Sequence, residues 1–321
     1  MEPGGTGSIV SIGEVLVEIM ATDRGTGFRE PMRLQGPFPS GAPAIFIDQV
    51  ARLGHRAGLI SCVGDDDFGR LNVDRLRRDG ADTSAVQVHP DRVTGSAFVR
   101  YRDDGERDFV FNVRHSAAGC TRITEAGRAL LDGCGHLHVM GSSLFSPPLI
   151  EAAMNAIEQV KGRGGTVSFD PNIRKEMLGD PETRATLATV LQRCDTFLPS
   201  GPELTLLTEA DTEEEAVAEV LGLGVSSVVV KRGAAGASHH DRDGTVHARA
   251  FAATEVDPTG AGDCFGATFV ICQLQGRGVE ESLRYANASG ARAVSVRGPM
   301  EGTSSFAELD AFIAGASGRG G

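Results

Sequence analysis

Lysine is nearly missing from this chain of 321 residues, which carries only Lys161, Lys175 and Lys231 and a net charge of -12. Without a basic surface it cannot release counterions from nucleic acid or meet anionic lipid headgroups, so neither is expected as a partner. An anionic ligand would need a local cradle and a divalent cation. Aromatics are scarce, with no Trp and two Tyr, which speaks against the aromatic pocket suited to a nucleoside or vitamin. No stretch approaches the roughly 20 apolar residues of a membrane span, and residues 1–7 lack the basic start and apolar core of a secretory signal. A cytoplasmic protein is expected. The six cysteines (Cys62, Cys120, Cys134, Cys194, Cys264 and Cys272) form no C-x-x-C pair, so neither zinc nor a disulfide framework is indicated. Also missing is G-x-x-x-x-G-K-[ST], which excludes a P-loop. Gly5-Thr-Gly7 precedes the first strand and has no third glycine in register, which makes a dinucleotide-binding fingerprint a poor fit. His239-His240 has no Cys or Glu at ligand spacing and reads as solvated loop.

What is present fits an α/β protein, with 40% apolar and 23% charged residues. Apolar runs alternate with amphipathic stretches, the pattern of a parallel sheet. Ile9–Ile19 reads as a strand interrupted by Gly13-Glu14, and Pro43–Leu53 as a helix. A strand over Ala57–Val63 and a helix over Phe68–Arg78 follow. The period then changes: Ser96–Arg102 and Arg107–Phe111 flank a turn at Asp104-Gly105, a hairpin signal. Together with an extended piece near 27–36, residues 94–114 are expected to project as a β lid. Alternation resumes with strands at 136–140, 166–170, Thr196–Pro199 and Ser227–Lys231, separated by helices. Helices over 263–275, 279–297 and 306–314 finish the chain. A single domain over 1–321 is expected.

The densest chemistry lies in Glu255-Val-Asp257-Pro-Thr259-Gly260-Ala261-Gly262-Asp263, directly before a small-residue apolar helix. Gly260 and Gly262 allow a tight turn and close backbone approach, and the unpaired N–H groups at a helix start attract anions such as phosphate. A carboxylate among those donors, Asp263, would stay ionised and could take a proton from a hydroxyl attacking the phosphate. That is phosphotransferase chemistry; the same residues would also serve as a glycine turn with an Asp cap. Other candidates end predicted strands, where open α/β sheets bind ligands: Gly64-Asp65, Gly141, Asn172, Arg174, Ser200 to Glu203, and Gly233.

At these residues the chain resembles the ribokinase-like carbohydrate kinases, the PfkB family. Asp257-Pro-Thr-Gly-Ala-Gly-Asp263 is similar to the family's second signature. Gly13-Glu14, Ala51-Arg-Leu-Gly54, Gly64-Asp-Asp66, Asp170-Pro-Asn-Ile-Arg174, Lys231-Arg-Gly233 with Gly236, and Ala286-Asn287 extend the match over nearly the whole length. The resemblance implies a three-layer α/β/α sandwich with a mostly parallel central sheet and a small β lid. It implies an ATP- and Mg2+-dependent kinase with Asp263 as base and the amides of Gly260, Ala261, Gly262 and Asp263 as anion hole. ATP contacts are expected from Ser200, Lys231, Gly233, Gly236, Thr259, Gly260, Gly262 and Asn287, and a water-mediated metal contact from Glu203. Whether a monovalent cation is needed stays open.

Two departures bear on the substrate. The family's double glycine followed by asparagine reads Ser40-Gly41-Ala-Pro-Ala-Ile45, and Ile45 neither donates nor accepts. Sugar contacts are then expected from Glu14, Gly41, Asp48, Asn172, Arg174 and the lid. The family's asparagine-to-glutamate motif reads Ser200-Gly-Pro-Glu203. Arg102, Arg107 and Arg114 lie on or beside the lid, where one could clamp a carboxylate bidentately. Asn112-Val-Arg114-His-Ser116 resembles the segment that meets the acid group in 2-keto-3-deoxygluconate kinases, whereas Asp170-Pro-Asn-Ile-Arg174 is shared with fructokinase-like members. A keto-sugar acid and a neutral ketohexose such as fructose or tagatose both remain open, as does a non-catalytic sensor. Phe98, Phe109 and Phe111 could either pack between two lids, which would make a homodimer, or cover the chain's own sheet; the resemblance favours the homodimer.

Overall fold

Gly13-Glu14-Val15 turns out to be a true break in the chain. It separates β1 (Ser8–Ile12) from β2 (Leu16–Ala21), and the two strands belong to different sheets. A Cβ on Gly13 would lie 2.3 Å from Ser143 Oγ, so the chain passes too close to its neighbour for any side chain. The computed structural model describes residues 7–23, 27–102, 107–173 and 181–317. In it β3 (Leu34–Ser40), α1 (Ala42–Arg52), β4 (Ala57–Gly64), α2 (Asp67–Arg78), β5 (Val86–His89), β6 (Gly95–Tyr101) and β7 (Arg107–Asn112) follow β2. Next come α3 (Glu125–Asp132), β8 (Cys134–Met140), α4 (Pro147–Gly162), β9 (Thr166–Asp170), α5 (Pro181–Leu191), β10 (Thr196–Phe197), α6 (Glu203–Leu206), α7 (Glu213–Gly222) and β11 (Ser227–Lys231). The chain ends through β12 (Ala237–Asp241), β13 (Gly244–Ala248), α8 (Ala261–Leu274), α9 (Val279–Val294) and α10 (Phe306–Ser317).

The large sheet has the order β13-β12-β11-β10-β9-β8-β1-β4-β5, parallel from β11 to β5 with an antiparallel β12–β13 edge hairpin. Its strands are apolar on both faces because helices cover both. Val229 joins a core with Phe46, Phe265 and Phe269 under α1, α8 and α9. Its neighbours Val228 and Val230 join the opposite core with Leu149, Ile157 and Val220. This is the expected three-layer α/β/α sandwich. α8 is buried almost all round, from Asp263 to Cys272, as its lack of polar faces requires.

The small sheet has the order β3-β2-β6-β7. It is mixed, because β2 and β6 run parallel while the outer pairs are antiparallel. The lid therefore takes in Leu16–Ala21, which the apolar run from Ile9 hides, and its outer strand is Leu34–Ser40 rather than a piece near 27–36. The hairpin turn expected at Asp104-Gly105 lies outside the described residues. His239-His240 is corrected as well: both lie on β12, and His239 is buried. The Asp241-to-Gly244 turn closes this hairpin, with Asp241 accepting from the amides of Asp243 and Gly244, and few apolar residues mark its alternation. The cysteines are free, with only Cys120 partly exposed. Among the described residues no helix is long and apolar enough to cross a membrane.

Candidate active site

The parallel strands end on one edge of the large sheet, and there β1, β8, β9, β10 and β11 deliver Glu14, Ser142, Asp170, Ser200 and Lys231. Facing this edge is the start of α8. Gly260 caps it in the left-handed region, φ 82°, where a Cβ would stand 2.4 Å from the Pro299 carbonyl oxygen. Asp257 ties the loop in place, one carboxylate oxygen accepting from Thr259 N at 3.1 Å and the other from Gly298 N at 3.0 Å. Gly260 puts no side-chain cap on the first turn of α8, and a helix start of that kind suits an anion. Asp263 is in that turn and is 8% exposed.

Lys231 Nζ is the nearest neighbour of the space a Gly262 side chain would fill, 3.6 Å from a Cβ built there. The ammonium pairs with Asp170 in a buried site. Burial alone would lower its pKa, but Asp170, Glu203 and Asp263 outweigh that and raise it, so Lys231 is fixed as a cation. Glu203 accepts 2.6 Å hydrogen bonds from the amides of Ile173 and Ser200. Burial and then Asp170 push its pKa up, against the pull of Lys231 and those amides. Among the described residues no three His, Cys, Asp or Glu converge into a metal cage. A magnesium ion that keeps most of its waters would be met here by Glu203 through water.

Beside the α8 start opens a cavity of about 960 Å³ lined by Ser200, Lys231, Gly233, Phe251, Gly262 and Asn287, among others. Its wall is mostly apolar, with the charged group and the helix terminus at one end, an arrangement that accommodates a base at one end and phosphates at the other. Asn287 Nδ2 donates to the carbonyls of Ala248 and Arg249, at 3.4 and 3.2 Å, and so holds the chain that leaves β13 along the cavity wall.

The pfkB family carbohydrate kinase pattern matches residues 6–305 of this chain. The chain belongs to that family. It is therefore a sugar kinase that transfers a phosphoryl group to a hydroxyl. "Probable fructokinase-3" of Arabidopsis thaliana is 32% identical over 320 residues, covering 97% of this chain and 92% of the relative. A protein from E. coli provisionally named Ribokinase II, solved with ATP and Mg2+, is 49% identical with a TM-score of 0.92, covering 96% of this chain and 99% of that one. The fructokinase of Vibrio cholerae O395, solved with fructose, ADP and a calcium ion, is 28% identical with a TM-score of 0.82, covering 96% of this chain and all of that one.

Within this PfkB chain the expected site residues divide. Gly260, Ala261, Gly262, Asp263, Thr259, Ser200, Glu203, Lys231, Gly233 and Asn287 gather at the α8 start and the adjoining cavity, and Gly236 is at its wall. Glu14 is buried where β1 ends and accepts a hydrogen bond from Ser143. Gly41, φ 113°, brings the start of α1 against the Glu14 carbonyl. Asn172 has φ 39°, anchored by its own N–H to Asp170 and by its Nδ2 to Ser142 Oγ. Asp48 is turned elsewhere: it is fully buried, accepts from Thr303 Oγ1 at 2.8 Å, and lies 3.4 Å from Arg75. Arg75 also reaches Asp79, Glu301 and the Met300 carbonyl, so Asp48 belongs to a brace behind the loop that carries Pro299. Arg114 is exposed. Arg174 lies outside the described residues. Of the lid arginines it is Arg107 that reaches the site, its Nη1 donating to Thr259 Oγ1 at 2.8 Å. Sequence reasoning misses Ser143, the Asp170–Lys231 pair and the tie through Asp257. Their signal was present only as polar residues at strand ends, where turns use the same residue types.

Proposed function

We propose that this kinase uses ATP to phosphorylate a hydroxyl of a ketose of the fructose type. The observation that carries the reading is a carboxylate, Asp263, set in the first turn of a helix whose start is an uncapped, glycine-shaped cradle beside a buried lysine. Asp263 takes the proton of the acceptor hydroxyl as its oxygen attacks the terminal phosphorus. The bond from phosphorus to the bridging oxygen breaks, and ADP leaves with the electron pair. The amides of Gly260 to Asp263 hold the charge that builds on the transferring oxygens. When bound, Mg2+ supplies further neutralisation of the phosphates, held through water by Glu203. Glu14 and Gly41 are the protein's contribution to the sugar side, under the lid.

A second reading, a keto-sugar acid such as 2-keto-3-deoxygluconate, draws on Arg107, which sets a guanidinium at the lip of the cradle where an acceptor carboxylate could be met bidentately. The deciding experiment is ADP release with ATP and Mg2+ over fructose, tagatose and 2-keto-3-deoxygluconate, with K+ present and absent. Turnover confined to the neutral ketoses supports the first reading, and turnover on the acid supports the second. Absence of turnover with all three would overturn both. A lid-to-lid dimer is proposed as well, on the apolar residues Leu34, Phe109 and Val110 that the small sheet exposes at 43%, 37% and 48%; sedimentation equilibrium giving a monomer would reject it.

A further inference from the structure

Gly260 is seated between two walls. A Cβ built on it would lie 2.4 Å from the Pro299 carbonyl oxygen on one side and 3.3 Å from Ile45 Cγ2 of α1 on the other. The start of α8 therefore keeps its place only while the Pro299 loop and α1 keep theirs. On the near side Gly298 N donates to Asp257 at 3.0 Å. On the far side the loop is held by Arg75 of α2, 225 residues away in sequence from the Met300 carbonyl to which its Nη2 donates at 2.6 Å. The same guanidinium donates through Nη1 to Glu301 at 2.8 Å and through Nε to Asp79 at 2.5 Å. Asp48 of α1 completes the cluster: its Oδ2 is 3.4 Å from Arg75 Nη2 and accepts from Thr303 Oγ1 at 2.8 Å. The two walls of the Gly260 seat are thus tied to one another at a side chain that is only 9% exposed. Joining two helices does not call for such a cluster, since packed apolar residues in place of a buried ion pair are often as stable or more so. What apolar residues cannot do is fix the direction of a carbonyl, and a guanidinium fork can. The carbonyl it fixes belongs to the peptide next to the one that carries the Pro299 oxygen.

We infer that Arg75 is a positioning residue for phosphoryl transfer: it locks the Pro299 loop to α1, and the seat so formed holds Gly260 and the start of α8 where the reaction needs them. It acts through the loop and not by contact with either substrate. The inference rests on the cradle reading above.

The test is a double-mutant cycle between this brace and the cradle. Arg75→Lys keeps a cation beside Asp48 but cannot span Asp79, Glu301 and the Met300 carbonyl together. With ATP, Mg2+ and whichever of fructose, tagatose and 2-keto-3-deoxygluconate is turned over, its kcat is expected to fall about tenfold or more while both KM values stay within about threefold, because the alignment counts most in the transition state. In the Gly262→Ala background, where the cradle is already blocked, the same substitution is expected to lower kcat by less than about threefold, since changes that act through one structure do not add. Thr303→Val removes the tie to Asp48 and leaves Arg75 in place; it is expected to show the same pattern at smaller size and serves if Arg75→Lys does not fold. Hydrogen exchange reads the loosening without turnover: residues 257–264 are expected to exchange faster in each brace variant, with α7, on the other side of the large sheet, unchanged. Losses that multiply in the double variant, a kcat within about twofold of wild type in the folded brace variants, or unchanged exchange at 257–264 would each overturn the inference. If Gly262→Ala itself turns over as wild type does, the cradle reading falls, while exchange at 257–264 still decides whether Arg75 holds the start of α8.

Discussion

Gly262→Ala should make this protein more stable and nearly inactive. Gly262 is in the first turn of α8 with no positive φ, and among the described residues, chain neighbours and the helix's own backbone aside, the one atom within 4 Å of a Cβ built there is Lys231 Nζ at 3.6 Å, an ordinary contact. The folded chain has room for the methyl, and alanine in place of glycine in a helix is favourable by up to about 0.5–1 kcal/mol. For a chain of this size that corresponds to a rise in Tm of about 1–2 °C. The open space beside Gly262 is, however, where phosphate oxygens must approach the amides. A methyl there holds them off, and loss of a single preorganised donor lowers kcat by about 10²–10³-fold. Gly260→Ala is the contrast. Its φ of 82° penalises any side chain, and the new methyl would collide with the Pro299 carbonyl oxygen at 2.4 Å, so the fold itself is destabilised by roughly 2 kcal/mol or more. Thermal unfolding and ADP release measured on both variants separate the two positions. A Gly262→Ala enzyme with kcat within threefold of wild type, or with a lowered Tm, would refute the cradle.

Asp263→Asn should bind ATP as wild type does and lose at least about 10³-fold in kcat, since only the proton acceptor is removed; calorimetry with steady-state kinetics checks both halves. Arg107→Ala should raise KM for an acidic acceptor far more than for a neutral ketose, whereas exposed Arg114→Ala should change neither, as KM ratios across the two acceptor classes will show. Arg75→Met should cost about 3–5 kcal/mol by stranding the buried Asp48 carboxylate, read from denaturant unfolding, because one partner of a buried ion pair is removed while the other stays. His136 gives a pH prediction: burial pushes its pKa down to about 4, against 6.5 in the unfolded chain. Between those values the unfolded state takes up a proton that the folded state does not. The contribution is therefore fully present above pH 6.5 and is lost as pH falls toward 4, by about 3 kcal/mol in all. His136→Gln should flatten the acid limb of stability against pH by that amount.

Periodicity was enough to place the large sheet because its strands are short apolar runs closed by turn residues, and Thr166–Asp170 and Ser227–Lys231 fall where that pattern puts them. It failed where a strand carries few apolar residues, as in β12 and β13, or where one apolar run serves two sheets, as from Ile9 to Ala21. Local pattern cannot tell which sheet a strand joins, since that depends on partners far away in sequence. The site divides in the same way. The candidate cradle could be proposed from sequence because its residues are contiguous, with Gly260, Gly262 and Asp263 within four positions. The roles of Asp48 and Arg107 could not, because what decides them is tertiary. Asp48 looks like a ligand until Arg75 and Thr303, far apart in the chain, are found on the same one of its oxygens, and Arg107 looks like one more exposed lid charge until Thr259 is found at its tip. A charged side chain thus acquires a role from what compensates it. Lys231 shows this most sharply: the sequence resemblance makes it an expected ATP contact at a strand end, but only the folded chain brings Asp170, Glu203 and Asp263 around it and fixes it as a buried cation.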